Sequence, residues 1–309
     1  MSQQFLRAAT LVVADGVSGR DLSNLHFKFS LKQRNLQTPN TCQIRVYNVS
    51  DDTANQVQKQ FSKIILQAGY QGGDIGTIFS GTLVQVRRGR ESPVDTYLDI
   101  SGADGDLAMN FATVNTSLAA GSSFKDHLNV IAQAMGQHGV TLGYVGPLSS
   151  GTLPRGKTMS GMARDYLRDL CFANDSTFFI QNGVLNVVPH EGSLPGAAIE
   201  LNSATGMIGF PEQTEEGIQI RCLLNPNIKI GGLVKINNAD VQQAALNLSY
   251  TGARQNALLP KISTADDGLY RVIVCEHSGD TRGQEWYSDL ICIAQGTPTT
   301  RALVSRGYT

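Results

Sequence analysis

Three groups of side chains in this 309-residue chain are of types that do chemistry. Glu276, His277 and Asp280 carry the donor atoms of a metal site. Residues 276 and 277 would point to opposite faces of a strand, however, and His and Asp around a glycine turn more often satisfy backbone donors. Cys171 and His190 would form a thiol–imidazole pair if they met. Cys171 lies on the apolar side of a predicted helix, where the plainer reading is an inert thiol. Glu212, Glu215 and Glu216 could supply paired carboxylates for glycoside cleavage, but their Pro- and Gly-flanked segment reads first as a solvated loop. The glycines of Gly69 to Gly76 join two strands and open no helix, so turn chemistry replaces nucleotide binding there. Trp286 and Tyr287 could stack on a sugar or a base, yet on a returning strand such rings more often fill a barrel or a subunit interface. The expectation is a chain with no catalytic site, no metal and no cofactor.

Composition narrows the classes further. Apolar residues make up 41% and charged residues 17%, below the usual quarter or so, which suggests a surface largely covered by other chains. Net charge is −1 and no Lys/Arg run is long enough to track phosphates, so sequence-independent nucleic-acid binding has little support. Arg87, Arg88 and Arg90 are the densest basic cluster, either a solvated hairpin loop or a contact for an acidic partner. The five cysteines have no C-x-x-C spacing and sit at apolar positions, so reduced thiols and assembly in the cytoplasm are expected. No secretory signal is evident, and no window reaches the roughly 18 to 20 apolar residues that span a bilayer; no membrane partner is expected.

The elements that would position these residues alternate in kind. Residues 5–14, 25–33 and 41–49 show the period-2 alternation of half-buried strands. Ser50-Asp51-Asp52 starts a short helix, and strands follow over 62–69, 76–88 and 95–103. Six such strands could close into a small barrel. Ser123 and Asp126 read as a capping box for a helix whose apolar side carries Phe124, Leu128, Ile131 and Met135. A second helix from about Ser160 buries Ala163, Tyr166, Leu167, Leu170 and Cys171. Asn182-Gly183 turns a hairpin over 177–188. Strands resume from Ala198, with a long polar excursion over 237–267.

Two stretches repeat one pattern. Phe79, Leu83, Val84 and Val86 run into a polar loop and return through Tyr97, Leu98, Asp99 and Ile100. Leu269 to Val274 run into Ser278 to Gly283 and return through Trp286, Tyr287, Asp289 and Leu290. Each is preceded by a short apolar strand, Ile64 to Leu66 or Leu233 to Ile236. The fold class is therefore α+β, mainly β, with two similar small β-barrel domains flanking an α+β insert. The predicted boundaries are 1–110, 111–195, 196–294 and a C-terminal tail, 295–309. A unit built twice lets three chains form a pseudo-sixfold ring.

On these residues the chain resembles the baseplate hub proteins of contractile-tailed bacteriophages, relatives of the hub part of type VI secretion spike proteins. The resemblance rests on Asn225 to Ile236, Gly268 to Gly283 with Trp286-Tyr287, Gln43 to Val49 with its helix, and Phe79-Ser80-Gly81. It implies a non-enzymatic structural virion protein, a homotrimer whose six tube domains join the sixfold tail tube, or a distal tube-adaptor ring, to the threefold central spike. Implied partners are copies of itself, the spike, the tube, baseplate wedge proteins and, transiently in the lumen, DNA. The chain stops just after the second β domain, so spike and lytic activities are expected on other polypeptides. Subunit or ring contacts are expected at Phe79, Arg88, Arg90, Tyr97, Tyr270, Trp286 and Tyr287. The rivals are a tail-associated cell-wall hydrolase or sugar-binding module using the Glu212 to Glu216 loop, and a tube-like protein forming a true sixfold ring.

Overall fold

The computed structural model describes residues 4–214, 217–243, 265 and 267–297. Most of the excursion expected over 237–267, and the tail beyond 297, lie outside these described residues.

The first β unit comprises β1 (Arg7–Ala14), β2 (Gly19–Asp21), β3 (Phe27–Arg34), β4 (Asn40–Tyr47), helix α1 (Asp51–Lys59), β5 (Lys63–Tyr70), β6 (Ile75–Arg90) and β7 (Thr96–Asp104). Alternation is the cause of the strands: Phe27, Phe29 and Leu31 are buried while Lys28, Ser30 and Lys32 face out. Ser50 caps α1 by accepting from the Thr53 backbone N–H, and Ala54 and Val57 turn inward. Leu11, Phe27, Ile44, Leu66 and Phe79 belong to a single core that this curled sheet encloses.

The insert follows as α2 (Asp106–Phe111), β8 (Thr113–Leu118), α3 (Phe124–Gly136), β9 (Thr141–Val145), β10 (Lys157–Met162), α4 (Ala163–Ala173), β11 (Ser176–Gln181) and β12 (Val184–Pro189). The Ser123–Asp126 capping box forms in both directions. Leu128, Ile131 and Met135 of α3 meet Leu167, Leu170 and Cys171 of α4 in a second core. Asn182 and Gly183 adopt φ of 55° and 75°, the left-handed pair that a two-residue hairpin turn demands. The pairing of β8 with β10 was not expected, because β8 is largely exposed and carries little apolar alternation.

The second β unit contains β13 (Ile199–Glu200), β14 (Met207–Thr214), β15 (Gly217–Leu223), β16 (Leu233–Lys235), β17 (Gln242–Gln243), β18 (Leu269–Asp280) and β19 (Trp286–Ala294). Ile218, Ile220, Val234, Tyr270, Val272 and Leu290 form its core.

The two units share one wiring. In the first, the strands lie in the order β3-β4-β7-β6-β5, and in the second β14-β15-β19-β18-β16, with every neighbour antiparallel. Both long hairpins carry a register shift at the same place, between Leu83 and Gln85 and between Val272 and Val274. Beside each shift, the Leu83 N–H donates to the Ser62 carbonyl at 2.7 Å and the Val272 N–H to the Gly232 carbonyl at 2.9 Å.

The mainly β class agrees with the sequence reading, but among the described strands neither unit closes into a barrel. The reason is the seam between them. The free edge of β3, which would close the first unit, pairs instead with β18 from Val274 to Asp280. The strands of both units thus run on as one sheet.

Candidate functional site

At the seam, aromatic rings and charged groups of the two units pack against each other. Trp286 is buried and lies edge-on to Phe29 of the other unit, with ring centroids 5.4 Å apart. Arg7 covers the indole at 5.7 Å and donates to the carbonyls of Gly283 and Gln284, both at 2.7 Å. Gly279 lies against the same rings: a Cβ there would stand 2.3 Å from Phe29 and 2.8 Å from Trp286, so only glycine fits. Asp280 ends β18 by accepting from the backbone N–H groups of Arg282 and Gly283 and pairing with His26 at 2.8 Å and Lys28 at 3.4 Å.

Each return strand carries the same charged device. In the first unit Arg45 forks onto Asp99, at 2.7 and 3.1 Å, and its guanidinium lies 4.1 Å from the Tyr97 ring. In the second, Arg221 forks onto Asp289 at 2.6 and 3.0 Å and sits 5.5 Å from Tyr287. Arg45 lies directly opposite Asp99 across β4 and β7, as Arg221 lies opposite Asp289 across β15 and β19. The Asp99 fork is also the main reason that the Arg45 pKa is raised.

The expected contact residues divide into two groups. Phe79, Tyr270 and Trp286 are interior side chains of this chain, so they present no surface to a neighbouring subunit. Their aromatic character serves the cores and the seam; Tyr270, for example, donates from its hydroxyl to Asn238 Oδ1 at 2.8 Å and accepts from the Ala265 N–H. Tyr97 and Tyr287 are half-buried beneath their arginines, and Arg88 and Arg90 are exposed. Arg88 donates to Asn55 of α1 at 2.8 Å.

The residues with apparent chemistry have structural partners. His277 is fully buried between Ser288 Oγ at 2.8 Å and Cys275 Sγ at 3.3 Å, and burial pushes its imidazole pKa down to about 4. Glu276 faces outward to Arg34 at 3.5 Å. Cys171 is buried in the insert core, with its thiol pushed up to about 12 by desolvation. Glu212 is exposed on an open groove of about 490 Å³, whose other carboxylates, Glu276 and Asp289, are both tied to arginines. Glu215 and Glu216 lie outside the described residues. Among the described residues no group of three or more His, Cys, Asp or Glu could hold a metal, and no helix is long and apolar enough to cross a membrane.

Sequence reasoning missed two anchors of the insert. Asp104, at the end of β7, accepts from the backbone N–H groups of Asn182 and Gly183, and burial raises its pKa to about 6. Arg271 is buried and donates to the carbonyls of His190 at 2.7 Å, Gly192 and Thr297. Desolvation lowers its pKa to about 10. An arginine inside an apolar strand, at Arg271-Val272-Ile273, was the available signal.

Proteins of known structure share this fold. The chain is similar in fold to the 43 kDa tail protein of prophage MuSo2 from Shewanella oneidensis, with a TM-score of 0.57 and 8% identity over 93% of this chain and 97% of that one. It is also similar to a tail protein from Neisseria meningitidis, with a TM-score of 0.58 and 10% identity over 96% and 98% of the two chains. An E. coli type VI secretion component, itself described as similar to the T4 tail proteins gp27 and gp5, gives a TM-score of 0.51 and 10% identity over 89% and 76%. No curated protein matches the sequence. The family described as Baseplate hub gp41 matches residues 8–251. The chain belongs to that family and is a structural protein of the phage baseplate hub.

Proposed function

We propose that three copies of this chain form the hub ring of a contractile-tail baseplate, joining the sixfold tail tube to a threefold central spike. The observation that carries this reading is the duplication. Two units with one strand order, one bulge position and one Arg–Asp–Tyr device give a trimer six similar units, so one face can match a sixfold partner while the whole remains threefold. Residues 1–110 and 196–294 act as the tube domains, and 111–195 as the insert between them. The role is mechanical and non-enzymatic, with the ring assembled in the host cytoplasm and DNA passing through its lumen. A net charge of −1 suits a bore that must not trap a polyanion. Tyr97 and Tyr287, with Arg88 and Arg90, are the proposed contacts with neighbouring subunits or rings. The resemblance to type VI secretion components favours a spike as one partner, with a tube or adaptor ring and wedge proteins as the others.

Native mass spectrometry of the chain, alone and mixed with the spike and tube proteins of the same phage, tests this. A trimer that takes up a spike trimer is the expected result. A hexamer would replace the reading with a true sixfold ring, and a monomer with every partner present would overturn it.

A further inference from the structure

The chain enters the first unit through four residues that reach into the second. The Gln4 carboxamide donates to the Thr205 carbonyl at 3.1 Å, and the Leu6 carbonyl accepts from the Gln71 N–H at 2.7 Å. Arg7 opens β1 and crosses to the tip of the β18-β19 hairpin, where its guanidinium holds the carbonyls of Gly283 and Gln284 and covers Trp286. Residues 4–7 therefore span the two units beside the seam without belonging to its ladder.

The two connections differ in kind. In the seam, residues 274–280 pair with 28–34 strand to strand, and Trp286 packs on Phe29. The crossing at 4–7 buries no large apolar side chain: Phe5 is 71% exposed and Leu6 56%. Its ties are hydrogen bonds to backbone groups, and those of Arg7 lie at the surface. Leu6 has a φ of 58°, in the left-handed region, where a Cβ crowds the following carbonyl oxygen. Beside Arg7 lie two buried rings, Tyr70, its register partner across β1 and β5, and Trp286. Neither the Tyr70 hydroxyl nor Trp286 Nε1 has a hydrogen-bond partner among the described residues. The closed crossing thus keeps one backbone residue strained and two donors dry, and opening relieves both. A segment that buries little and bonds at the surface also opens more readily than the sheet it lies on.

We propose that residues 4–7 are a releasable strap. Closed, they hold the tip of the β18-β19 hairpin against the first unit. Open, they free that tip and admit water to Trp286 while the seam stays paired. The tip of the β6-β7 hairpin closes within its own unit. There Ser92 Oγ accepts from the N–H groups of Val94 and Asp95, at 3.3 and 2.9 Å, and Arg90 donates to the Pro93 carbonyl at 3.2 Å. The strap is thus a place where the duplicated units depart from one another, since the second tip is also held from outside. A partner that donates to the Gly283 and Gln284 carbonyls must displace Arg7, so the strap sets when that tip can dock. The device works within one chain, whether or not three chains assemble.

Trp286 is the only tryptophan of the chain, so its fluorescence reports on the strap alone. Acrylamide quenching and hydrogen exchange are compared for the parent and two variants, with their oligomeric states matched by native mass spectrometry. Arg7→Gln removes the fork and should raise the quenching constant roughly threefold. It should also speed exchange roughly tenfold at Gln71, whose N–H donates to the Leu6 carbonyl. Leu6→Asn brings a residue that tolerates the left-handed backbone and should slow exchange at Gln71 below that of the parent. Protection across 28–34 and 274–280 should be the same in all three proteins. Unchanged quenching in Arg7→Gln, or exchange at Gln71 no slower in Leu6→Asn than in the parent, would overturn the strap. So would a loss of protection across 274–280 in Arg7→Gln, because the crossing would then be part of the seam itself.

Discussion

His277 shows how the seam sets the chemistry of a single side chain. Its ring is enclosed by Ser288, Cys275 and the β3 strand, and desolvation disfavours the imidazolium. A base whose pKa falls from 6.5 in the unfolded chain to about 4 in the folded one contributes stability that is present above pH 6.5 and lost as the pH falls towards 4. The full effect is about 3 kcal/mol. Asp104 acts in the opposite sense. Its carboxyl, raised from 3.8 to about 6, favours folding below pH 3.8 and loses that contribution as the pH rises to about 6. An NMR titration resolves the two: the His277 ring should stay neutral down to about pH 4, and the Asp104 carboxyl should titrate near 6. An imidazole titrating at 6.5 would mean that the seam opens to water. The interior position of His277 was not legible from Glu276-His277-Asp280, because adjacent residues of a strand part company only once the strand's two faces are known.

Among the elements, the long hairpins were the most legible. Alternation placed β3 and β4, the Ser123–Asp126 box started α3, and Asn182-Gly183 turned β11 into β12. The paired patterns of Phe79 to Ile100 and Leu269 to Leu290 became β6-β7 and β18-β19, and the structure adds a bulge at the same place in both. What stayed hidden was pairing at long range. Nothing local in Lys28 to Arg34 says that its edge partner lies some 250 residues away, and so barrel closure was expected where one sheet runs on. The aromatic rings misled for the same reason: Trp286 was read as a subunit anchor, and it anchors one unit of its own chain to the other. Trp286→Ala should accordingly destabilise the fold by about 3 to 5 kcal/mol, measured by chemical denaturation of the dissociated chain. A loss of assembly with unchanged chain stability would return the indole to a subunit contact.

For the whole molecule, the argument turns on what a duplicated unit permits. The chain carries one seam, in which β18 of the second unit pairs with β3 of the first. A heterologous contact between copies either closes into a ring or propagates without limit. On the proposed reading that contact closes, with three chains supplying six units. The mainly β architecture was legible in the alternation and in the duplicated pattern, while the family entered through a resemblance carried by Asn225 to Ile236 and Gly268 to Gly283 and agrees with the matching family over residues 8–251.

Electron microscopy of the purified ring tests the central claim most directly. Class averages viewed down the axis should show six similar lobes, three bearing the first unit and three the second, with full detail retained under threefold averaging and lost under sixfold averaging. Six lobes that remain equivalent under sixfold averaging, each a whole chain, would contradict the account.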